Sequence, residues 1–136
     1  MKVEFTVEGM AKGKERPRVA RVNGHTHAYT PKTTKDYEQQ VKAAYPGFKY
    51  DDDAYLSVFI VAYYPTPKAS KIRTRMMLSG RLRPTRRPDL DNIAKSICDA
   101  LNGTAYKDDS QIIRLTVEKW YSTYPRVEVR IEDVKW

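Results

Sequence analysis

The stretch from Arg86 to Gln111, RRPDLDNIAKSICDALNGTAYKDDSQ, gathers acids in a chain whose charge is otherwise in cationic excess. Asp89 and Asp91 flank a single residue, and Asp108 and Asp109 are adjacent. Carboxylates crowded together repel and raise one another's pKa unless a cation joins them. A hard divalent ion removes that conflict, and Mg²⁺ is typically held by one or two carboxylates, waters and substrate phosphate oxygens. Such an ion can polarise a phosphoryl oxygen, make a nucleophile of bound water and stabilise a leaving oxygen, which is the chemistry of phosphodiester hydrolysis. Lys95 fits the same scheme, since its compact ammonium can neutralise charge developing on a phosphate or hold the acids in place. A purely structural reading also exists, an N-cap aspartate plus i,i+4 ion pairs of about 0.2–0.5 kcal/mol each. It leaves the second acidic pair unexplained.

These residues need a helix to position them. From Asn92 to Asn102 the chain places Ile93, Ile97 and Leu101 at i+4 spacing, with Asp89 or Asp91 as N-cap and Gly103 at C′. The same spacing stacks Asp91, Lys95 and Asp99 on another face. If the chain is extended before the helix, Asp89 and Asp91 project to the same side. Asp108 and Asp109 then return toward a neighbouring strand, with the choice between them open.

The other elements follow from periodicity. Val3, Phe5 and Val7 alternate with polar residues from Lys2 to Glu8, the pattern of a half-buried strand. Lys12, Lys14, Arg16, Arg18 and Arg21 then crowd a loop, read as phosphate-contacting. Asn23-Gly24 supplies the positive φ angles of a tight hairpin between Val19–Val22 and His25–Tyr29. His25 and His27 share a face there but have no third ligand nearby, so a surface hairpin is preferred to a metal site. Thr33 or Thr34, with Asp36 in the first turn, predicts a helix to about Tyr45 whose stripe is Tyr37, Val41, Ala44 and Tyr45. Asp51-Asp52-Asp53 reads as an exposed loop before a strand over Ala54 to Tyr64.

Between Pro65 and Pro88, prolines and the cations Lys68, Lys71, Arg73, Arg75, Arg81, Arg83, Arg86 and Arg87 suggest a mobile basic flap at the edge of the acidic site, with one short helix over Lys68 to Met77. Ile112 to Tyr121 and Arg126 to Glu132 read as strands joined by the turn Thr123-Tyr124-Pro125, predicting an antiparallel hairpin. Four or five strands and two or three helices without strict alternation argue for an α+β fold with a mixed sheet.

With 136 residues, the chain fits one domain, 1–136. Its 25 Lys plus Arg against 17 Asp plus Glu give a net charge of +8, for which nucleic acid is the commonest partner of a basic domain. Cys98 is the only cysteine, which excludes an intramolecular disulfide and a multi-thiolate metal site and fits a reducing cytosol. The charged, alternating N-terminus lacks a secretory signal, and no run reaches the about 18 apolar residues of a membrane span. A cytoplasmic protein of bacterial or phage origin, with no membrane partner, is expected.

At Arg87-Pro88-Asp89-Leu90-Asp91-Asn92, Lys95, Asp99-Ala100-Leu101-Asn102 and Asp108-Asp109-Ser110-Gln111 the sequence resembles the RusA family of Holliday junction resolvases. Arg16-Pro17-Arg18, Tyr29-Thr30-Pro31 and Thr33-Thr34-Lys35-Asp36-Tyr37 are similar to the N-terminal part of its Gram-positive and phage-type members. The resemblance implies a RusA-like fold and a homodimeric endonuclease, dependent on Mg²⁺ or Mn²⁺, that nicks four-way junction DNA symmetrically. By position it makes Asp89, Asp91 and Asp109 the metal-binding carboxylates, with Asp108 as substitute or assistant, and Lys95 the catalytic lysine. Lys12, Lys14, Arg16, Arg18, Arg73, Arg75, Arg86 and Arg87 are the expected DNA-binding cations. Pro88 stands directly before Asp89 where some members carry Arg. The alternatives are a non-catalytic DNA-binding recombination accessory protein and a metal nuclease acting on flaps or forks.

Overall fold

A computed structural model describes residues 1–14, 18–29 and 31–135, with the side chain of Arg18 also outside the description. The expected phosphate contacts of Arg16 and Arg18 therefore fall outside the described groups.

Four strands make one sheet. β1 (Lys2–Glu8), β4 (Leu56–Pro65), β5 (Ile112–Ser122) and β6 (Arg126–Asp133) lie in the order β1-β6-β4-β5. β6 is antiparallel to both β1 and β4, whereas β4 and β5 run parallel. Alternation decides the faces: Val3, Phe5 and Val7 of β1, Val127, Val129 and Ile131 of β6, and Leu56, Val58, Ile60, Ala62 and Tyr64 of β4 are buried on one side. Onto that side pack α1 (Lys32–Ala44), through Tyr37 and Val41, and α3 (Leu90–Ala100), through Ile93 and Ile97. The result is the two-layer α+β arrangement with a mixed sheet that the pattern predicts. Fully burying a side chain such as Ile97 contributes roughly 1.5–3 kcal/mol.

The expected pairing of β5 with β6 is corrected. The three-residue turn is present, but β4 lies between the two strands it joins. β4 is apolar along nearly its whole length, so it takes a central place with a neighbour on each side. β5, with Ile113 and Leu115 exposed, is left at the edge.

The first helix is corrected at its start. Pro31 occupies the N-cap position without a side-chain hydrogen bond, and Thr34 and Lys35 donate their N–H groups to its carbonyl. Proline's fixed φ suits a helix start, so the helix begins before Thr33 and Asp36 falls beyond its first turn. The hairpin β2 (Arg18–Val22) and β3 (His25–Tyr29) forms as predicted, with φ of 51° at Asn23 and 77° at Gly24. The Asp51–Asp53 loop is exposed.

The basic flap is also corrected, because it is docked on the edge strand. α2 (Lys71–Leu78) packs beside β5, capped by Ser70. Beyond it, Arg83 lies 3.2 Å from the Trp120 ring centre and donates to the Lys119 carbonyl at 2.9 Å. Lys119 in turn donates to the Arg86 carbonyl at 2.7 Å. These contacts cover part of an edge that would otherwise present unpaired backbone groups.

Candidate active site

The first turn of α3 divides two clefts of opposite charge. On one side Asp91, Lys95 and Asp99 line the wall of an acid cleft, as their i+4 spacing requires. Lys95 Nζ lies 3.4 Å from Asp99 Oδ2. Ile93 and Ile97 hold the opposite face of the helix in the core, which fixes the rotation that presents the acids.

Asp109 enters the same cleft from a single 3₁₀ turn, Asp109–Gln111. That turn explains which of two adjacent acids faces inward. Asp108 is its N-cap and accepts from the Ser110 N–H at 3.1 Å, while the Gln111 side chain accepts from the N–H groups of Lys107 and Asp108. This is a capping box, and it leaves Asp108 exposed with its carboxylate engaged by backbone. Asp109 donates its own N–H to Asn102 Oδ1 at 2.8 Å. Gln111 ties the turn to the loop before β4 by donating to the carbonyls of Asp51 and Ala54. Asn102 and Gln111 are thus positioning residues, a role that helix periodicity does not reveal. The Asp-x-x-Gln spacing at 108–111 was the available signal.

The electrostatics are those of carboxylates pressed together. Desolvation raises the Asp109 carboxyl, and its hydrogen bond and charge contact with Asp99 raise it further. Desolvation also acts upward on Asp99, but hydrogen bonds from Lys14 and Asp109 and the charges of Lys14 and Lys95 outweigh it and hold this carboxyl below its usual range. The contact thus pushes the two carboxyls apart, Asp109 upward and Asp99 downward. Cys98 also lines this cleft, and burial, then the charge of Asp109, pushes its thiol up to about 12. It is no thiolate nucleophile.

Across the helix start lies a larger basic cleft. Lys12 and Lys14 approach from the segment after β1, and Arg86 and Arg87 from the segment before α3. Four of the eight expected DNA-binding cations are therefore brought together. Asp89 is here too: it is the N-cap residue of α3, yet its side chain makes no capping hydrogen bond. Because the helix begins at Leu90, the chain from Asp89 to Asp91 is not extended, and the expected projection of both acids to one side is corrected. They face different clefts. Arg73 and Arg75 stay apart from both, exposed on α2.

Among the described residues no three His, Cys, Asp or Glu side chains converge closely enough to hold a metal ion by themselves. The donor set still suits a hard cation of the Mg²⁺ kind, which needs only one or two carboxylates beside water and phosphate oxygens. The gathering of Asp91, Asp99 and Asp109 on one cleft, with Asp99 raising the Asp109 carboxyl, marks where positive charge is wanted. Among the described residues no helix is long and apolar enough to cross a membrane.

The profile of the family described as Endodeoxyribonuclease RusA matches residues 8–132. "Uncharacterized protein YqaN" of Bacillus subtilis (strain 168) is 39% identical over 97% of this chain and 96% of its own length. "Crossover junction endodeoxyribonuclease rusA" of Lactococcus phage r1t is 27% identical over 96% of each.

Proposed function

The chain belongs to the RusA endodeoxyribonuclease family, and on that premise we propose that it is a Mg²⁺-dependent endonuclease, with Mn²⁺ as substitute, resolving four-way DNA junctions in recombination and repair. The observation that carries this reading is the meeting of an acid and a basic cleft at one helix turn. A phosphodiester backbone needs cations to seat it, and the hydrolytic site needs carboxylates within reach of the seated phosphate. Separate surfaces would not provide both.

In this reading Asp91 and Asp109 hold the ion from the acid cleft, Asp89 joins from the phosphate side, and Asp108 shapes the turn that aims Asp109. When bound, the ion supplies Lewis-acid polarisation of the phosphoryl oxygen and an acidified water. The remaining work belongs to side chains. Lys95, exposed on the same helix face, stabilises charge developing on the phosphate. Lys12, Arg86 and Arg87 seat the neighbouring backbone, and Arg73 and Arg75 extend the cationic surface along α2.

A homodimer is part of the proposal, since paired cuts in a two-fold junction call for the site twice. Ile113 and Leu115 of β5 are exposed where they line the acid cleft, so a second copy would pack along the remaining edge of β5 and border the site without closing it. If the dimer neutralises on the order of six to ten phosphates, junction affinity falls by about 10³–10⁵ between 50 and 200 mM salt.

The test is a cleavage assay on labelled four-way junction, linear duplex and flap DNA, with Mg²⁺ or with EDTA. Symmetric nicks confined to the junction and abolished by EDTA are expected. Binding without nicks would instead identify an accessory protein, and cleavage of the flap a nuclease of broader structure preference.

A further inference from the structure

Lys14 was expected among the DNA-binding cations, yet its ammonium is turned inward. Nζ lies 2.5 Å from Asp99 Oδ2 and 3.8 Å from Glu38 Oε1, with only 24% of the side chain exposed. It bridges α1, which carries Glu38, and α3, which carries Asp99. The backbone is built to put it there. A Cβ at Gly13 would lie 2.8 Å from the Pro88 Cβ and 3.2 Å from the Asn92 Cβ, closer than packed carbons tolerate. Only glycine lets this segment press against the start of α3, where the Lys14 N–H reaches the Asn92 carbonyl. The same lysine also lines the basic cleft, so a side-chain rotation separates its carboxylate partners from the space a phosphate would fill.

Charge explains why a second lysine belongs here. Asp91 and Asp99 share one wall of a partly desolvated cleft that Asp109 enters, and the other cations lining it, Lys95 with a side chain 62% exposed and the exposed Arg114, are well hydrated and balance the acids only weakly. We infer that Lys14 is the resident counter-cation of the acid cleft: its ammonium holds Asp99 while the divalent ion is absent and passes to a DNA phosphate in the basic cleft when the ion arrives. The handover rests on the acid cleft being the metal site. It makes Lys14 a positioning residue that opposes metal binding in the free protein and adds a phosphate contact in the complex. Linkage then requires DNA to favour metal entry as much as metal favours DNA.

The test compares the full-length protein with Lys14→Met, which keeps the aliphatic stem, and Lys14→Arg, which keeps the charge. Mn²⁺ alone, without DNA, is titrated by calorimetry after thermal unfolding shows each variant folded; Lys14→Gln replaces Lys14→Met if the latter does not fold. Removing a unit positive charge from beside the site should tighten Mn²⁺ binding about tenfold, and Lys14→Arg should restore the weaker value. Junction binding measured against salt in Ca²⁺ should lose about one unit of slope per protomer in Lys14→Met. Equal Mn²⁺ affinity in Lys14→Met and the natural protein would overturn the inference and leave the nuclease reading intact. Tighter Mn²⁺ binding with an unchanged salt slope would overturn the handover. Mn²⁺ binding to neither protein would sink the metal site itself.

Discussion

Acid cleft and basic cleft share the first turn of α3 but are assembled by different physics. The acid cleft draws its three carboxylates and Lys95 from residues 91–109, a continuous run in which one helix and one capped turn set their positions, and adds only Arg114 from β5. The basic cleft joins residues 10–14 and 33–34 to residues 86–92, distant in sequence, with residues 13 and 88–92 in close backbone packing. One is a local device and the other a product of the tertiary fold. Changes in the first should alter chemistry or metal affinity at nearly constant DNA affinity, and changes in the second should do the reverse, except at Lys14, which reaches both.

The strongest way to break this contrast is Asp91→Asn. It removes a proposed metal carboxylate and leaves the basic cleft untouched, so cleavage should fall by on the order of 10³-fold or more, the equivalent of several kcal/mol of transition-state stabilisation. Junction affinity by gel shift should stay within about twofold. Unaltered cleavage would return Asp91 to a helix-dipole role. Next in size is the double change Arg86→Ala with Arg87→Ala. Loss of two phosphate contacts should reduce the salt slope by about two per protomer and weaken junction binding about 10–100-fold, with turnover at saturating protein little changed.

Asn102→Ala sharpens the comparison from the positioning side. It deletes the acceptor of the Asp109 N–H, and loss of such an outer contact commonly lowers metal affinity about 10–100-fold. The expected result here is near the lower end, read as Mn²⁺ affinity by calorimetry, with DNA binding in EDTA unaffected. The smallest effect is on pH. Asp109 has a raised carboxyl, so its contribution to stability is present below the unfolded value near 4 and is lost as pH rises through the raised native one. Asp99, with a lowered carboxyl, contributes in the opposite sense, and that contribution is lost only as pH falls through its depressed native value. In EDTA, Asp109→Asn should flatten the loss of thermal stability as pH rises above about 4, and saturating Mg²⁺ should flatten it in the natural protein.

The same division governs what could be read from residues in order. The helix from Leu90, the stacking of Asp91, Lys95 and Asp99, the hairpin at Asn23-Gly24 and the alternation of β1 and β6 all follow from spacings of a few residues. The inward choice of Asp109 over Asp108 was equally local, written in the capping box that ends at Gln111, but the turn had to be recognised before it could be used. Other features lay beyond any local pattern. The separation of Asp89 from Asp91 depended on where the helix starts by a single residue, a boundary that propensity does not define sharply. Docking of Arg83 on Trp120 joined segments that no periodicity links. The placing of β4 between β5 and β6 overrode the usual adjacency of strands joined by a short turn.

That last arrangement bears on how the chain reaches its folded state. β6 pairs with β1 on one side and β4 on the other, so residues 126–133 complete both ladders at once. Until they emerge from the ribosome, β1 has no partner in the sheet and β4 has only β5. The sheet therefore cannot zip up in the order of synthesis, and two apolar strand edges wait for a segment made after them. Newly made chains shortened just before Arg126 should expose that pair of edges to chaperones.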